Sequence, residues 1–390
     1  MTTTQTTVLV IGGGYAGVMA ANRLMSRDDV RVKVINPRPE FVERIRLHQL
    51  AADNDDAVAD FGAVLNAGVQ LVVDRAERID AAARQVTLAS GETLGYDYLV
   101  YAAGSTGAVP DSVPGAAEFA YPLSELEQAH RLRARLADVP TQAPIVVVGG
   151  GLTGIEAASE FAEAGRHVTL VSTLIGPSLG RSGRRSVTKR LTKLGVTLVS
   201  ATVASVAADH IALSDGRVLP SAVTVWTAGF GVPGLAAQSG LTTDALGRLI
   251  TDESLTSVDD GRIVAAGDSA APSGLPYRMS CQAGLPLGAQ AGNTVLARIA
   301  GTEAADATVV MTGQCISVGR GAGTIQLARK DDTPRSLYIG GRAGAFVKEQ
   351  VCRYTVKWLA GEAAKPGSYK FFQGPDRTEQ ITAAKAIPVR

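Results

Sequence analysis

The chain has little sulfur and little imidazole: three cysteines and four histidines in 390 residues. Cys281, Cys315 and Cys352 lie 34 and 37 positions apart, so neither a CxxC nor a zinc-ligand spacing occurs. No two histidines have ligand spacing, which argues against a metal held by the protein. An odd, sparse set of thiols suits a reducing compartment rather than a disulfide framework. Excess charge is absent too, with 38 Lys and Arg against 37 Asp and Glu. Nucleic acid as the main partner would call for a basic surplus. No uninterrupted apolar run reaches the roughly 18 residues of a membrane span. The opening Met1 to Thr7 lacks the basic stretch of a secretory signal. These absences lead us to expect a cytoplasmic protein of two or three domains.

Glycine, by contrast, is abundant: 43 residues, clustered at the ends of apolar strands. Such clusters mark turns where backbone must approach something closely. The pattern GxGxxG occurs three times, at Gly12-Gly14-Gly17, Gly149-Gly151-Gly154 and Gly229-Gly231-Gly234. In so glycine-rich a chain the motif alone is weak, and its surroundings decide. The first copy follows the strand-like Thr7 to Ile11, opens the helix-like Val18 to Met25, and is followed by a second strand, Val30 to Ile35. That is a complete βαβ unit with glycines at the first turn, where free amides and the positive helix end can hold a pyrophosphate. The second copy repeats the order with Pro144 to Val148, Ile155 to Ala162, and His167 to Val171. From first glycine to strand end is 24 residues in one copy (12 to 36) and 23 in the other (149 to 172). The third copy contains Pro233 and meets Gly240 before a crossover helix could form, so it reads as a loop.

The two halves agree further along. Val69 to Val73 and Gln85 to Leu88, with a turn at Ser90-Gly91, form a meander leading into Tyr98 to Ser105. Val196 to Val199 and His210 to Leu213, with a turn at Asp215-Gly216, lead into Val223 to Gly229. Each half therefore runs βαβ, meander, strand, Ala-Gly, a duplication far more specific than one motif. A further strand, Gly261 to Ala266, ends in Gly267-Asp268 ahead of a helix starting near Cys281-Gln282. The acid there is either an acceptor for sugar or ribityl hydroxyls or an ordinary turn residue.

Taken together, Gly12 to Gly17, Tyr96 to Gly104, Gly149 to Glu156 and Ala265 to Asp268 resemble the two-dinucleotide-binding flavoproteins of the pyridine nucleotide–disulfide oxidoreductase fold. The resemblance covers nearly the whole chain. It implies an α/β fold of two Rossmann-like dinucleotide-binding domains, the second inserted in the first, plus a small C-terminal α+β region. The corresponding ranges are 1–115 and 258–305 for the FAD-binding domain, 116–257 for the inserted NAD(P)H-binding domain, and 306–390 for an acceptor or dimer region. The implied cofactors are FAD and NADH or NADPH. On the FAD side the candidate contacts are Gly12, Gly14, Tyr15, Ala16, Gly17, Asn36, Ala103, Gly104, Gly267 and Asp268, with Asp268 on the ribityl chain. On the nicotinamide side they are Gly149, Gly151, Thr153, Gly154, Ser172 and Gly229.

The disulfide reductases of that fold carry a CxxxxC pair soon after the FAD glycines. Here Phe41 to Leu50 holds no cysteine, which excludes a thiol relay at that position. The remaining pattern is similar to type II NADH dehydrogenases and quinone-reducing relatives of apoptosis-inducing factor. Thr153 to Glu156 continues their nicotinamide motif, and Gly319-Arg320, Ile339 to Ala343 and Lys348 are similar to their tail. Three departures stand out. Asn36 occupies the strand end where an acid is expected, and an amide still bonds ribose hydroxyls, less strongly. Ser172 at the equivalent nicotinamide position removes a carboxylate that would repel a 2′-phosphate. Arg181, Arg184 and Arg185 follow, as phosphate contacts or as a solvated loop, so NADPH is expected to be accepted. Pro286 stands four residues after Gln282, where type II dehydrogenases often repeat Gln, which weakens the expectation of a membrane quinone.

Hydride transfer needs nicotinamide stacked on flavin with water excluded. The helix beginning near Gln282 points its positive end at the flavin pole, and the Gln282 backbone amide is the candidate donor there. Glu156 is the candidate catalytic residue, at the nicotinamide end or relaying protons to the acceptor. Its bland reading is a carboxylate complementing the helix dipole. Cys281 lacks a sequence partner for redox chemistry. Phe346, Val347, Val351, Tyr354 and Trp358 recur at helical spacing among Lys348, Arg353 and Lys357. Core or subunit packing is the commoner use of such a stripe, with peripheral membrane contact or the lining of an acceptor pocket the alternatives. The expected activity is that of an FAD-dependent NAD(P)H:acceptor oxidoreductase with a quinone-type acceptor. Its rivals are a reductase of a small electron-transfer protein and a flavin-based redox sensor.

Overall fold

The computed structural model describes residues 5–385. The chain opens with β1 (Thr6–Ile11), a run of β-branched and aliphatic residues buried along its last four positions. It turns into α1 (Tyr15–Leu24), in which every residue after Tyr15 is buried, and returns as β2 (Val30–Asn36). A short helix α2 (Leu47–Ala51) precedes β3 (Gln70–Val73) and β4 (Tyr98–Tyr101). The second unit runs β5 (Ala120–Pro122), α3 (Leu126–Asp138), β6 (Pro144–Val148), α4 (Leu152–Glu163), β7 (His167–Val171), α5 (Arg181–Lys193), β8 (Thr197–Val199) and β9 (Val223–Trp226). The chain then contributes β10 (Ile263–Ala265) and the long α6 (Cys281–Ile299). It ends with β11 (Gly313–Ser317), β12 (Gly323–Ala328), β13 (Pro334–Gly340), the 24-residue α7 (Gly341–Ala364), and a last short helix, Thr378–Lys385.

Two five-stranded sheets carry the molecule, in orders β10-β4-β1-β2-β3 and β5-β9-β6-β7-β8. Every pairing in both is parallel. Their near-continuous Val, Ile and Leu runs follow from burial on both faces, as parallel sheets require. The two βαβ units are thus equivalent in topology as well as in sequence. The first sheet takes its last strand from beyond residue 260, so the second unit is inserted within it.

In one respect the strands differ from expectation. Gln70–Val73 and Thr197–Val199 are parallel edge strands of the two sheets. The antiparallel meanders are built from Ala76–Asp80, Gln85–Leu88 and Thr93–Gly95, and from Val203–Val206, His210–Leu213 and Val218–Pro220. Short apolar runs such as Gln-Leu-Val-Val show a strand but not its partner.

Helices α1 and α6 both pack on the first sheet and against each other. At their crossing a Cβ on Gly288 would overlap the Ala16 carbonyl oxygen, so only glycine allows this approach. The C-terminal antiparallel sheet β11-β12-β13 packs under α7, which also reaches α1. Helix α7 does not use its aromatic stripe for packing in this chain's own core, one of the uses expected. Its inner face is Gly344, Lys348, Cys352, Thr355, Leu359 and Glu362, while Phe346 is 66% exposed and Tyr354 and Trp358 are each 44% exposed. Ion pairs draw the charged side chains inward: Lys348 to Glu156, and Glu362 to Arg23. Among the described residues, no helix is long and apolar enough to cross a membrane.

Candidate functional site

At the first glycine turn, Gly12 adopts φ +101°, a conformation costly to any side chain, and its amide bonds the Ile35 carbonyl. A Cβ on Gly17 would overlap the Gly12 carbonyl oxygen, which fixes how tightly α1 closes on the turn. Gly14 is the N-cap of α1 and, among the described residues, has no side-chain cap bond and nothing within 4 Å of where a Cβ would stand. Open space over uncapped amides suits an anion. The second turn matches it feature for feature. Gly149 has φ +117°, a Cβ on Gly154 would overlap the Gly149 carbonyl, and Gly151 caps α4 with nothing among the described residues within 4 Å of where its Cβ would stand.

The middle glycines identify the residues at the strand ends. A Cβ on Gly13 would stand 3.0 Å from Asn36 Cγ, and the Gly13 amide donates to Asn36 Oδ1 at 3.0 Å. A Cβ on Gly150 would stand 2.7 Å from Ser172 Oγ. Asn36 and Ser172 therefore occupy equivalent positions beside their turns. Asn36 is held by its bonds to Gly13 and to the Arg38 carbonyl. Ser172 bonds the Leu174 carbonyl at 3.1 Å and closes its own loop.

Around the first turn the structure gathers segments far apart in sequence. Ala103 adjoins Gly12, and Ala16 adjoins Gly267, whose φ is +72°. Ser105 Oγ donates to Asp268 Oδ2 at 2.7 Å, and the Gly104 amide bonds Ser269 Oγ at 3.2 Å. Tyr15 packs edge-on to Phe41 with ring centroids 5.2 Å apart, and its buried hydroxyl has no hydrogen-bond partner among the described residues. Gln282 is the second residue of α6, which Ser280 caps by accepting from the Ala283 amide at 3.3 Å. Pro286 lacks the amide that would otherwise bond the Gln282 carbonyl, so both backbone groups of Gln282 lie outside the helical ladder. Thr153 and Gly229 line one small cleft with Gly107, Ser124 and Thr227. The glycine run after Gly229 is irregular: Phe230–Gly231 pairs with Thr106–Gly107, and Gly234 caps a four-residue helix.

Glu156 is the fifth residue of α4, beyond the first turn where the helix dipole acts, so the bland account of its charge loses force. Its side chain turns into a buried cluster built from four parts of the chain. Oε1 accepts from Lys348 Nζ of α7 at 3.0 Å and from the Ser317 amide of β11 at 3.1 Å. Oε2 lies 3.7 Å from His48 Nδ1 of α2. Burial alone would raise Glu156, but Lys348 and the Ser317 amide outweigh it and hold the carboxyl below its ordinary range. Burial likewise would lower Lys348, and Glu156 overrides it, so Lys348 titrates well above a free lysine. Both stay ionised. His48 is the opposite case: burial, joined by Lys348, Arg320 and Arg46, pulls it down to about 4 despite the neighbouring carboxylates. It is neutral at neutral pH, and its approaches to Glu156 and Glu160 are not ion pairs.

All three thiols gather here as well. Cys315 is two residues before Ser317 on β11, hence on the same strand face, and Cys352 is one helical turn after Lys348. Burial pushes Cys281 up to about 12 and Cys352 to about 11, so these two remain protonated thiols rather than nucleophiles. Lys348 was visible in the sequence as a tail resemblance. Ser317, His48 and Glu160 were not singled out, although Glu160 follows Glu156 by one helical turn and shares its face.

A family model described as pyridine nucleotide-disulphide oxidoreductase matches residues 6–293, most of the chain. The chain belongs to this family. Its cofactors are accordingly FAD and NADH or NADPH, and its activity is that of an NAD(P)H-dependent flavin oxidoreductase. An NADH dehydrogenase-like protein of Mycobacterium tuberculosis is 35% identical over 323 residues, covering 75% of this chain and 80% of that one. The type II NADH:quinone oxidoreductase Ndh of the same organism is 28% identical over 355 residues, covering 77% and 74%. In fold, the chain is similar to NDH2 of Plasmodium falciparum solved with NADH. The TM-score is 0.76, with 14% identity over 94% of this chain and 99% of that one.

Proposed function

We propose that the chain takes hydride from NAD(P)H and passes two electrons, by way of FAD, to a quinone-type acceptor. Gly12, Gly14, Gly17, Asn36 and Asp268 would hold FAD, and Gly149, Gly151, Gly154 and Ser172 the nicotinamide cofactor. Bound FAD supplies a carrier that accepts two electrons from nicotinamide and releases them to the acceptor. The observation that carries the reading is the buried Lys348–Glu156 pair, joined at 3.0 Å within electrostatic reach of Cys281 at the start of α6. A cation fixed in a water-poor pocket stabilises negative charge on an acceptor oxygen and can give it a proton, and its carboxylate partner is placed to pass on a replacement proton once one is delivered to it.

The experiment is anaerobic titration of FAD-loaded protein with NADH and NADPH, followed by rapid mixing with a short-chain benzoquinone. Fast bleaching and fast reoxidation support the reading. Fast bleaching without reoxidation by quinone would overturn it in favour of a protein acceptor. A slowly formed, long-lived reduced complex would favour a redox sensor.

A further inference from the structure

Glu160 Oε1 is a buried carboxylate oxygen with no hydrogen-bond donor among the described residues, on a side chain with no exposed surface. Leaving an ionised carboxylate oxygen unpaired there is costly. Its partner oxygen accepts from Asn54 Nδ2 at 2.7 Å. The groups facing Oε1 are His48 Nε2 of α2 at 3.9 Å and Arg320, in the turn between β11 and β12, at 3.7 Å. Glu156 and Glu163 on its own helix add negative charge, and Arg190 and the Arg320 amide hold Glu163. A protonated carboxyl removes the difficulty, because its O–H can donate to the free imidazole nitrogen of His48.

We infer that Glu160 and His48 form an inner proton-holding site that refills the Glu156–Lys348 pair from solvent, with Arg320 at its outer end. The inference rests on the reading of that pair as serving the acceptor. Hydride brings two electrons and one proton, whereas a quinone leaving as hydroquinone takes two protons, so each turnover draws one proton from solution. The line of groups runs inward from Arg320, whose side chain is 45% exposed, to Glu160, to His48, to Glu156. Ser317 Oγ bridges the inner end, 3.3 Å from His48 Nε2 and 3.3 Å from Glu156 Oε1. The gaps at His48 exceed hydrogen-bond length and are closed by a small side-chain rotation or one water. In one transfer, Glu160 gives its proton to His48 Nε2 while His48 Nδ1 gives its own to Glu156 Oε2. Glu160 is left as a carboxylate, to be reprotonated past Arg320, and the imidazole ends neutral with its proton on Nε2. That proton must return to Nδ1, by ring rotation or exchange with water, before the next transfer. Burial first, then the negative charge of Glu163 and Glu156, raises Glu160 to about 7, while His48 lies at about 4. The resting proton is thus on the carboxyl. Glu160 acts through Glu156 and is a positioning residue for protons rather than a group touching the acceptor.

Infrared difference spectra of FAD-loaded protein between about pH 6 and about pH 8 test the site directly. The expected result is a buried protonated-carboxyl band that titrates near 7, vanishes in Glu160→Gln and survives in Glu163→Gln. Absence of the band, or its persistence in Glu160→Gln, overturns the inference whatever the acceptor is. The second measurement compares reoxidation by a short-chain benzoquinone, which takes protons, with reoxidation by ferricyanide, which takes only electrons. Glu160→Gln and His48→Gln are each expected to slow the quinone reaction roughly tenfold or more and flatten its pH profile near neutrality, sparing the ferricyanide reaction. Equal slowing with both oxidants means a structural role and overturns the inference. Failure of wild-type protein to reduce any quinone refutes the acceptor reading instead, and the carboxyl titration tells the two failures apart.

Discussion

Lys348 on α7 and Glu156 on α4 are 192 residues apart in sequence and 3.0 Å apart in space, each with 9% of its side chain exposed. One partner alone would be an uncompensated buried charge, which typically costs about 3–5 kcal/mol. Lys348→Met is expected to lower stability by about 3 kcal/mol. Glu156→Gln should cost less, because Gln keeps an acceptor for Lys348, and the double variant should cost less than the sum of the two. Denaturant melts of the FAD-loaded proteins measure all three. Both single variants should slow reoxidation by quinone roughly 100-fold, with reduction by NAD(P)H little changed. Unchanged turnover in Glu156→Gln would return that carboxylate to a purely structural role.

The inner pair predicts two opposite pH dependences of stability. Glu160 rises from an ordinary 4.5 to about 7, so the folded protein keeps a proton that the unfolded chain loses. Its contribution is fully present below 4.5 and is lost as pH rises through 7. His48 falls from 6.5 to about 4, so its contribution is present above 6.5 and is lost as pH falls through 4. Between those limits the two slopes nearly cancel, because folding moves one proton from imidazole to carboxyl. Glu160→Gln is expected to gain stability over wild type above pH 7, by at most about 3 kcal/mol. His48→Gln should gain it at the acid end. Urea midpoints across pH measure both, and parallel profiles in all three proteins would refute the assignment.

The glycines of each turn separate folding from binding. Gly14 has φ −84° and ψ −169°, which alanine adopts freely, and open space where the new Cβ would stand. Gly14→Ala should therefore fold with less than about 1 kcal/mol of change, yet retain FAD at least about tenfold more weakly. Gly17→Ala would drive a methyl into the Gly12 carbonyl and should destabilise the fold itself by about 1–3 kcal/mol. Flavin content after gel filtration, set beside thermal melts, distinguishes the two. Equal flavin retention in Gly14→Ala and wild type would place the pyrophosphate elsewhere.

Most of the architecture was legible in the sequence because its signals are local. The runs before Gly12 and Gly149 are strands, and the residues after Gly14 and Gly151 are helices. The duplication extends to the strand order of both sheets. The buried cluster around Glu156 was far less legible, because its residues come from α2, α4, β11 and α7 and meet only in the tertiary structure. His48 lies in a stretch notable only for lacking cysteine, and Ser317 contributes mainly a backbone amide, which no residue type announces. The stripe on α7 was read as a contact face, for core, subunit, acceptor or membrane, without fixing which. Periodicity identifies one side of a helix, but here buried ion pairs, not apolar area, decide which side faces in.

On the proposed reading, the nicotinamide preference turns on what surrounds Ser172. The loop after β7 folds back so that the Gly176 amide bonds the Gly150 carbonyl at 2.8 Å. A Cβ on Gly176 would stand 3.3 Å from Arg184 Cγ, which places that arginine against the loop beside the second glycine turn. Arg181, Arg184 and Arg185 open α5 and make no ion pair or side-chain hydrogen bond among the described residues, leaving their charge available to a phosphate. A carboxylate at position 172 would accept ribose hydroxyls and repel a 2′-phosphate, whereas serine does neither strongly. Ser172→Asp is therefore expected to raise KM for NADPH about tenfold or more while leaving or lowering KM for NADH. Arg184→Ala should raise KM for NADPH by a similar factor with little effect on NADH. Steady-state reduction of ferricyanide with each nucleotide measures both, since that oxidant leaves the acceptor-side proton groups out of the rate. Equal changes for the two nucleotides in both variants would assign the three arginines to solvent and leave Ser172 without a role in choosing between them.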